Sequence, residues 1–141
     1  AFTRDARIVF LDDSIVRGTQ LKDNVVKLRE CGVKEVHIRI ACPPLIYPCC
    51  FLNFSTSRST FDLFARRVIR DLEGTSELTD EILKPYSDPD SEKYKEMVRV
   101  MCQHLQLDSL QFQRLDDLVK AIGLPKEQLC THCWDNSSYM E

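Results

Sequence analysis

The stretch Ile8–Gln20, I-V-F-L-D-D-S-I-V-R-G-T-Q, decides the fold of this chain. It begins as a short apolar run of the length of a buried strand, and it continues into two carboxylates and a small polar loop. Leu21, Val25 and Leu28 then recur at helical spacing, and Val36–Ala41 is a second apolar, β-branched run. A strand, a helix and a strand within about 35 residues predict a parallel βαβ unit.

After the βαβ unit the sequence predicts helices for most of the chain. The apolar spacing predicts one helix over Phe61–Leu72 and a second whose apolar stripe spans Tyr94–Leu105. We place the start of the second helix at Asp88 and Pro89, as its N-cap and first helical residue. Leu110–Gln113 has the length of a short strand. The predicted class is therefore α/β, a parallel sheet followed by a mainly helical C-terminal extension.

The loop after the first strand has the composition of a phosphate site. In open α/β sheets ligands lie at the carboxyl ends of the strands, and backbone N–H groups at a helix start bind anions. Ser14–Gln20 supplies such N–H groups, and Gly18 lets the backbone approach a phosphate closely. Asp12 and Asp13 cannot bind phosphate, but they can accept hydrogen bonds from vicinal hydroxyls or hold Mg²⁺. The arrangement indicates a sugar phosphate as the ligand.

A simpler interpretation of the same residues stays open, in which an Asp-Asp-Ser turn only caps the helix. The chain offers a comparison, because Leu115-Asp116-Asp117 repeats the letters L-D-D. There the apolar spacing of a last helix, Leu115–Ile122, runs through the acids, so we expect solvated carboxylates in its first turn. Neither G-x-x-x-x-G-K-[ST] nor G-x-G-x-x-G occurs, which disfavours an NTPase and a dinucleotide-dependent dehydrogenase.

Composition and charge exclude several classes of protein. The chain has 141 residues and a net charge of −3, from 19 basic and 22 acidic residues, which disfavours a nucleic-acid partner. No apolar run reaches the roughly 20 residues of a membrane span, and the N-terminus lacks an apolar signal core. Seven cysteines cannot all pair within one chain. We therefore expect reduced thiols in a cytoplasmic protein without a membrane partner.

The sequence D-D-S-I-V-R-G-T, residues 12–19, resembles the phosphoribosyl-pyrophosphate (PRPP) motif of type I phosphoribosyltransferases. Its wording is similar to that of the glutamine-dependent amidophosphoribosyltransferases in particular. The resemblance continues through residues 32–39 and through P-P-L-I-Y-P-C, residues 43–49, and it returns in L-D-D-L-V-K-A-I-G and C-T-H-C-W. It implies three segments: the C-terminal half of a phosphoribosyltransferase domain with the PRPP loop (1–74), a helical insertion (75–107) and a closing segment with the C-x-x-C motif (108–141).

The resemblance implies an enzyme that forms 5-phosphoribosylamine from PRPP and glutamine-derived ammonia, the first step of purine synthesis. The PRPP contacts that it implies are Asp12, Asp13, Ser14, Ile15, Val16, Arg17, Gly18, Thr19 and Gln20. Asp12 and Asp13 would also contact Mg²⁺ as a cofactor. Gln20 stands where the family usually has a small hydroxyl residue, so an amide replaces one phosphate donor.

The C-x-x-C motif, Cys130-Thr131-His132-Cys133, is by itself compatible with a redox, zinc-binding or incidental role. In family members that carry a [4Fe–4S] cluster, ligands fall at positions that resemble Cys49, Cys130 and Cys133. A cubane cluster needs four thiolates, so the fourth would come from upstream of this chain, with Cys50 as a local substitute. Zinc on the same thiols and buried, reduced cysteines without a metal stay open as alternatives.

Other parts of the family are not matched by this sequence. The family has an N-terminal cysteine nucleophile, a glutaminase domain and a pyrophosphate loop ahead of the acidic motif. We therefore expect a piece of a longer, homo-oligomeric protein that is inactive alone and whose partners are PRPP and the rest of the polypeptide. Two other functions stay open: a type I phosphoribosyltransferase acting on a nucleobase, and a non-enzymatic regulator that senses PRPP.

Overall fold

A parallel sheet of three strands organises the computed structural model, which describes residues 4–49 and 59–137. The strands are β1 (Arg7–Asp12), β2 (Glu35–Ile40) and β3 (Ser109–Phe112), and β2 lies between the other two. The helices of the described residues are α1 (Thr19–Glu30), α2 (Phe64–Glu73), α3 (Asp80–Ser87), α4 (Glu92–His104), α5 (Leu115–Ile122) and α6 (His132–Asp135), with 3₁₀ turns at Thr60–Asp62 and Lys126–Gln128. The predicted α/β class and the parallel βαβ unit are confirmed.

One face of the sheet carries the main hydrophobic core. Ile38 and Ile40 of β2 pack with the apolar stripes of α2 and α4, which bury Val68 and Met97 completely. Leu83 of α3 joins the same cluster. A smaller cluster under α1 joins that helix to β2. The predicted stripes of α2 and α4 are therefore the faces that hold these helices against the sheet.

Two predicted helix starts are wrong by about one turn. The stripe predicted a helix from Phe61, but residues 60–62 form a 3₁₀ turn and α2 begins at Phe64. The second helix was expected to begin at Asp88, but the Asp88 carboxylate accepts a hydrogen bond from the backbone N–H of Asp90 at 2.9 Å. That side chain closes a local turn, so Ser91 instead caps α4 by accepting from the N–H of Tyr94 at 3.1 Å.

A carboxylate ties β3 to the βαβ unit. Asp108 Oδ2 accepts hydrogen bonds from the backbone N–H of Val36 and from Arg29 Nη2, both at 2.6 Å, and the N–H of Asp108 donates to the Val36 carbonyl at 2.9 Å. The hydrogen bond from the Val36 N–H is the main reason why the pKa of Asp108 lies below its ordinary value of 3.8, and the bond from Arg29 lowers this pKa further. The segment that follows α4 is thus fixed to the start of β2.

The opposite face and the β1 edge of the sheet are not covered within the described residues. Val9 and Leu11 of β1 point to this face and are 61% and 83% exposed. Next to them, His37 bonds Ser109 Oγ at 2.8 Å and Glu35 Oε2 at 3.1 Å. Parallel sheets ordinarily carry cover on both faces, so this surface is unusual for its class. None of the helices in the described ranges has the length and apolar character needed to cross a membrane.

Candidate phosphate site

A loop of six residues joins the carboxyl end of β1 to the start of α1. It borders an open cavity of about 660 Å³. The cavity is lined by Asp12, Asp13, Ser14, Ile15, Val16, Arg17, Gly18, Thr19, Gln20, Leu21 and Asn24. All nine residues predicted to contact PRPP therefore lie together around one space, at the sheet edge where ligands of parallel α/β proteins bind.

The backbone of this loop presents donors. Within the described part of the chain, the N–H groups of residues 14–21 donate no hydrogen bond to protein, and the first bond of α1 runs from Lys22 N–H to the Gly18 carbonyl at 3.0 Å. Unpaired N–H groups and the positive end of a helix dipole together attract an anion. The loop therefore has the electrostatic character of an anion site rather than that of a side-chain cap, because Gly18 at the N-cap position has no side chain to donate or accept.

Gly18 adopts a left-handed backbone conformation, with φ +74°. A Cβ added there would lie 3.1 Å from Cδ1 and 3.2 Å from Cγ of Phe64. The Phe64 ring fills the space toward which a Cβ of residue 18 would point, and the close approach of this backbone to phosphate stays a prediction. Glycine is needed here because of the backbone angle and because α2 packs directly against the loop.

The two carboxylates at the mouth of the cavity repel each other. The Asp12 carboxylate accepts from the N–H of Asp13 at 3.0 Å, and Ser14 Oγ donates to Asp13 Oδ2 at 3.3 Å. Desolvation raises the pKa of Asp12 despite that backbone bond, and the Asp13 charge adds to the rise. A cation or a donor-rich ligand placed between the two side chains would relieve this unfavourable charge.

The comparison pair, Asp116 and Asp117, lies in the first turn of α5, as predicted. Both side chains are exposed, and neither lines the cavity at the end of β1. Their position at a helix N-terminus is the ordinary stabilising one for carboxylates.

The structure brings Cys49 and Cys133, two of the three predicted cysteine ligands, together. The Cys133 carbonyl accepts from the N–H groups of Ile46 at 2.9 Å and Tyr47 at 3.0 Å, which docks the C-x-x-C turn on the proline-containing loop. Burial raises the pKa of the Cys133 thiol to about 12, and the neighbouring Cys49 and then Cys130 add to the rise. Among the described residues no group of three or more His, Cys, Asp or Glu side chains is placed to hold a metal ion.

The sequence analysis did not predict three residues that line the cavity or contact the loop. Asn24 lines the cavity because it lies one turn after Gln20 on the same face of α1, a spacing that could have been noticed. Phe64 and Arg67 of α2 contact the loop from behind. Nothing in the local sequence pattern predicts those two contacts, since about 50 residues separate the partners.

Known proteins are similar to this chain in sequence and in fold. An amidophosphoribosyltransferase of Methanothermobacter thermautotrophicus is 30% identical over 129 residues, which is 92% of this chain and 21% of that protein. The chain belongs to the amidophosphoribosyltransferase family. The amidophosphoribosyltransferase of Mycobacterium bovis is 31% identical over 139 residues, 98% of the chain and 21% of the relative. That of Pyrococcus horikoshii is 63% identical over 43 residues, 30% of the chain and 10% of the relative.

Solved structures of amidophosphoribosyltransferases also resemble this chain over most of its length. The glutamine PRPP amidotransferase of Bacillus subtilis, complexed with ADP and GMP, matches with a TM-score of 0.60 at 26% identity, over 93% of this chain and 23% of that one. A structure described as the allosteric regulatory enzyme of purine biosynthesis matches with a TM-score of 0.58 at 27% identity, over 96% and 23%. No protein-family model matches the chain. The chain spans about a fifth of the length of the relatives that cover most of it.

Proposed function

We propose that this chain is the PRPP-binding part of a glutamine amidophosphoribosyltransferase, in which ammonia displaces pyrophosphate at C1 of PRPP to give 5-phosphoribosylamine. The observation that carries the proposal is the cavity at the end of β1, with unpaired N–H groups on one side and an acidic pair at its mouth. The relatives' names support the same reaction.

The loop residues bind the 5′-phosphate in this proposal. The N–H groups of residues 14–19 donate to the phosphate oxygens, and the Thr19 hydroxyl and the Gln20 amide add side-chain donors. The Ser14 hydroxyl becomes a further donor once it leaves Asp13 Oδ2, to which it donates in the free loop. The backbone donors are in place before the ligand arrives, so they need little reorganisation on binding. Holding the phosphate sets the position of C1 for attack, which is the contribution that proximity makes to such a reaction.

Asp12 and Asp13 accept hydrogen bonds from the two ribose hydroxyls, and they are suited to a Mg²⁺ ion that also contacts the substrate. Magnesium usually takes one or two protein carboxylates and completes its shell with water and substrate phosphates, and two adjacent carboxylates fit that requirement. When bound, the ion supplies positive charge to the departing pyrophosphate. The raised pKa of Asp12 in the free site is consistent with a carboxylate that gains most when a cation arrives.

The remaining polypeptide of a longer protein is the proposed partner. The exposed β1 edge and the uncovered sheet face, with Val9 and Leu11, offer backbone groups and apolar surface for that segment. Residues 1–141 alone are therefore expected to be inactive, because pyrophosphate and ammonia would need residues that the chain does not contribute.

A test uses the full-length polypeptide, with PRPP titrated by calorimetry in the presence of Mg²⁺ and pyrophosphate release followed with glutamine or ammonium. We expect PRPP to bind and pyrophosphate release to require ammonia or glutamine. Pyrophosphate release that instead requires a nucleobase would favour the nucleobase transferase, and tight PRPP binding without any release would favour the regulator. Absence of PRPP binding would refute the proposal.

We also propose that Cys49, Cys130 and Cys133 are thiolate ligands of an iron–sulfur cluster. Cys49 and Cys133 are already neighbours, and burial and then Cys49 raise the pKa of the Cys133 thiol. A bound metal would supply the positive charge that a thiolate there needs. A cubane cluster requires four thiolates, so in this proposal the fourth comes from upstream or from Cys50, which lies outside the described residues. When bound, such a cluster would tie the proline-containing loop to the C-x-x-C turn.

Anaerobic purification of the full-length protein, followed by iron, sulfide and zinc analysis, tests this ligand set. Serine at all three positions should abolish metal content, whereas Cys31→Ser, at the exposed end of α1, should leave it unchanged. Zinc without iron would favour the zinc alternative. Wild-type protein without either metal would leave only reduced cysteines.

A further inference from the structure

The phosphate-binding loop is held from behind by α2. The backbone N–H of Phe64 donates to the Val16 carbonyl at 2.7 Å, and Arg67 Nη2 donates to the Arg17 carbonyl at 2.6 Å. The two carbonyls belong to consecutive residues of the loop. Neither Phe64 nor Arg67 lines the cavity, so within the described structure α2 contacts the side of the loop that faces away from it.

Because of the geometry of the peptide bond, these contacts also determine where the loop N–H groups point on the other side. In a trans peptide the carbonyl and the N–H of the next residue point in opposite directions across a rigid plane. The described residues contain no cis peptide bond. Fixing the Val16 and Arg17 carbonyls toward α2 therefore fixes the N–H groups of Arg17 and Gly18 away from it. These are two of the unpaired donors that border the cavity.

Arg67 is itself held firmly enough to act as a clamp. Its Nη1 donates to the carbonyls of Phe61 at 3.2 Å and Asp62 at 3.0 Å, and its guanidinium lies 5.4 Å from the centroid of the Phe64 ring. The same ring lies against Gly18. One side chain thus joins the 3₁₀ turn, the start of α2 and the loop, using the planar fork that arginine has and lysine lacks.

We propose that Arg67 is a positioning residue for phosphate binding, which orients the loop N–H groups through the Arg17 carbonyl. The proposal rests on the function proposed above for the loop. Without the guanidinium, the Arg17–Gly18 peptide can rotate and turn a carbonyl oxygen toward the phosphate, which the anion repels. The phosphate would then have to reorder the loop at each binding event, and affinity would fall.

The test compares Arg67→Ala, Arg67→Lys and Arg70→Ala in the full-length polypeptide. Arg70 lies on the same helix, pairs with Asp71 and, within the described residues, makes no hydrogen bond or ion pair to the loop, so its variant is the matched control. PRPP and inorganic phosphate are titrated by calorimetry, kcat and KM for PRPP are measured, and thermal unfolding is followed for each protein.

Arg67→Ala is expected to weaken binding of both PRPP and phosphate about tenfold, which corresponds to about 1.4 kcal/mol. Because the phosphate is bound equally in the ground and transition states, KM should rise while kcat changes little. Lysine should restore part of the affinity, and Arg70→Ala should bind as the wild type does. If Arg67→Ala does not fold, the lysine variant still decides between the two roles, because a positioning role raises its KM for PRPP above that of the wild type and a structural role leaves KM unchanged.

A merely structural role predicts a lowered unfolding temperature with unchanged phosphate affinity and KM, and that result would overturn the proposal. If the wild type bound phosphate but not PRPP, the proposed function would fail, while the clamp would still be judged from the phosphate affinities of the variants. A wild type that bound neither probe would overturn both.

Discussion

Gly18→Ala tests the contact between α2 and the loop that joins β1 to α1. Gly18 and Gly74 have similar left-handed backbones, with φ +74° and φ +66°, but an added Cβ at Gly74 meets nothing within 4 Å. At Gly18 the same atom lies 3.1–3.4 Å from three atoms of the Phe64 ring. Gly74→Ala is therefore a control that contains the backbone strain without the steric contact.

The expected magnitudes follow from these two environments. A left-handed conformation costs an alanine roughly 1–2 kcal/mol, and this is the whole expected effect at Gly74. Crowding a packed ring adds about 1–3 kcal/mol, so Gly18→Ala should exceed the control by that amount. Replacing Phe64 with Leu in the Gly18→Ala background should remove most of the excess, because the smaller side chain leaves room for the methyl group.

Hydrogen exchange measured by mass spectrometry in the full-length polypeptide reports these effects locally. The excess at Gly18 should accelerate exchange in the first bonded turn of α1 about five- to 150-fold beyond the acceleration that Gly74→Ala causes at the end of α2. Equal accelerations by the two variants, or an excess that persists after Phe64→Leu, would show that the ring does not support the loop.

Two further predictions concern carboxylates. Replacing both Asp12 and Asp13 with Asn should abolish most PRPP-dependent pyrophosphate release. Replacing both Asp116 and Asp117 with Asn should leave this release unchanged and lower the free energy of unfolding by at most about 1 kcal/mol. Equal losses of pyrophosphate release from the two double variants would contradict the distinction. Asp108→Ala should lower the free energy of unfolding by about 1.5 kcal/mol, the lower end for bonds to a charged acceptor, since the side chain is partly exposed. Because folding depresses the Asp108 pKa, its contribution is complete above about pH 4 and fades as the pH falls through the folded pKa, so wild type and variant should converge in acid-unfolding curves.

The sequence predicted the parts of the fold whose cause is local. The strand that ends at Asp12 appears where it was predicted, and the predicted apolar stripe is the buried face of α2 although that helix begins about one turn later. Burial on one face imposes a period that can be read directly. The start of α4 was missed for an equally local reason. Asp88 and Ser91 are both good helix caps, and only the structure shows that Asp88 is used for the preceding turn.

The support of the loop could not be predicted, because its cause is not local. The bond from Arg67 to the Arg17 carbonyl joins residues 50 positions apart, and an arginine on a helix surface is usually solvated. Gly18 illustrates the same limit. The sequence predicts close approach of its backbone to a ligand, and the folded chain adds a second reason for glycine, because a Cβ there would point to Phe64.

The motif L-D-D occurs twice in the chain, once at residues 11–13 before a loop and once at residues 115–117 at the start of a helix. After β1, six residues separate Asp12 from the first residue of α1, whereas after β3 only two residues separate Phe112 from the first residue of α5. Six residues allow the chain to turn several N–H groups toward one point before the helix begins, and two do not. The second pair therefore falls inside the helix and serves its dipole, while the first falls at a strand end and faces a cavity. The residues that follow each acidic pair, rather than the pair alone, therefore distinguish the two structural contexts.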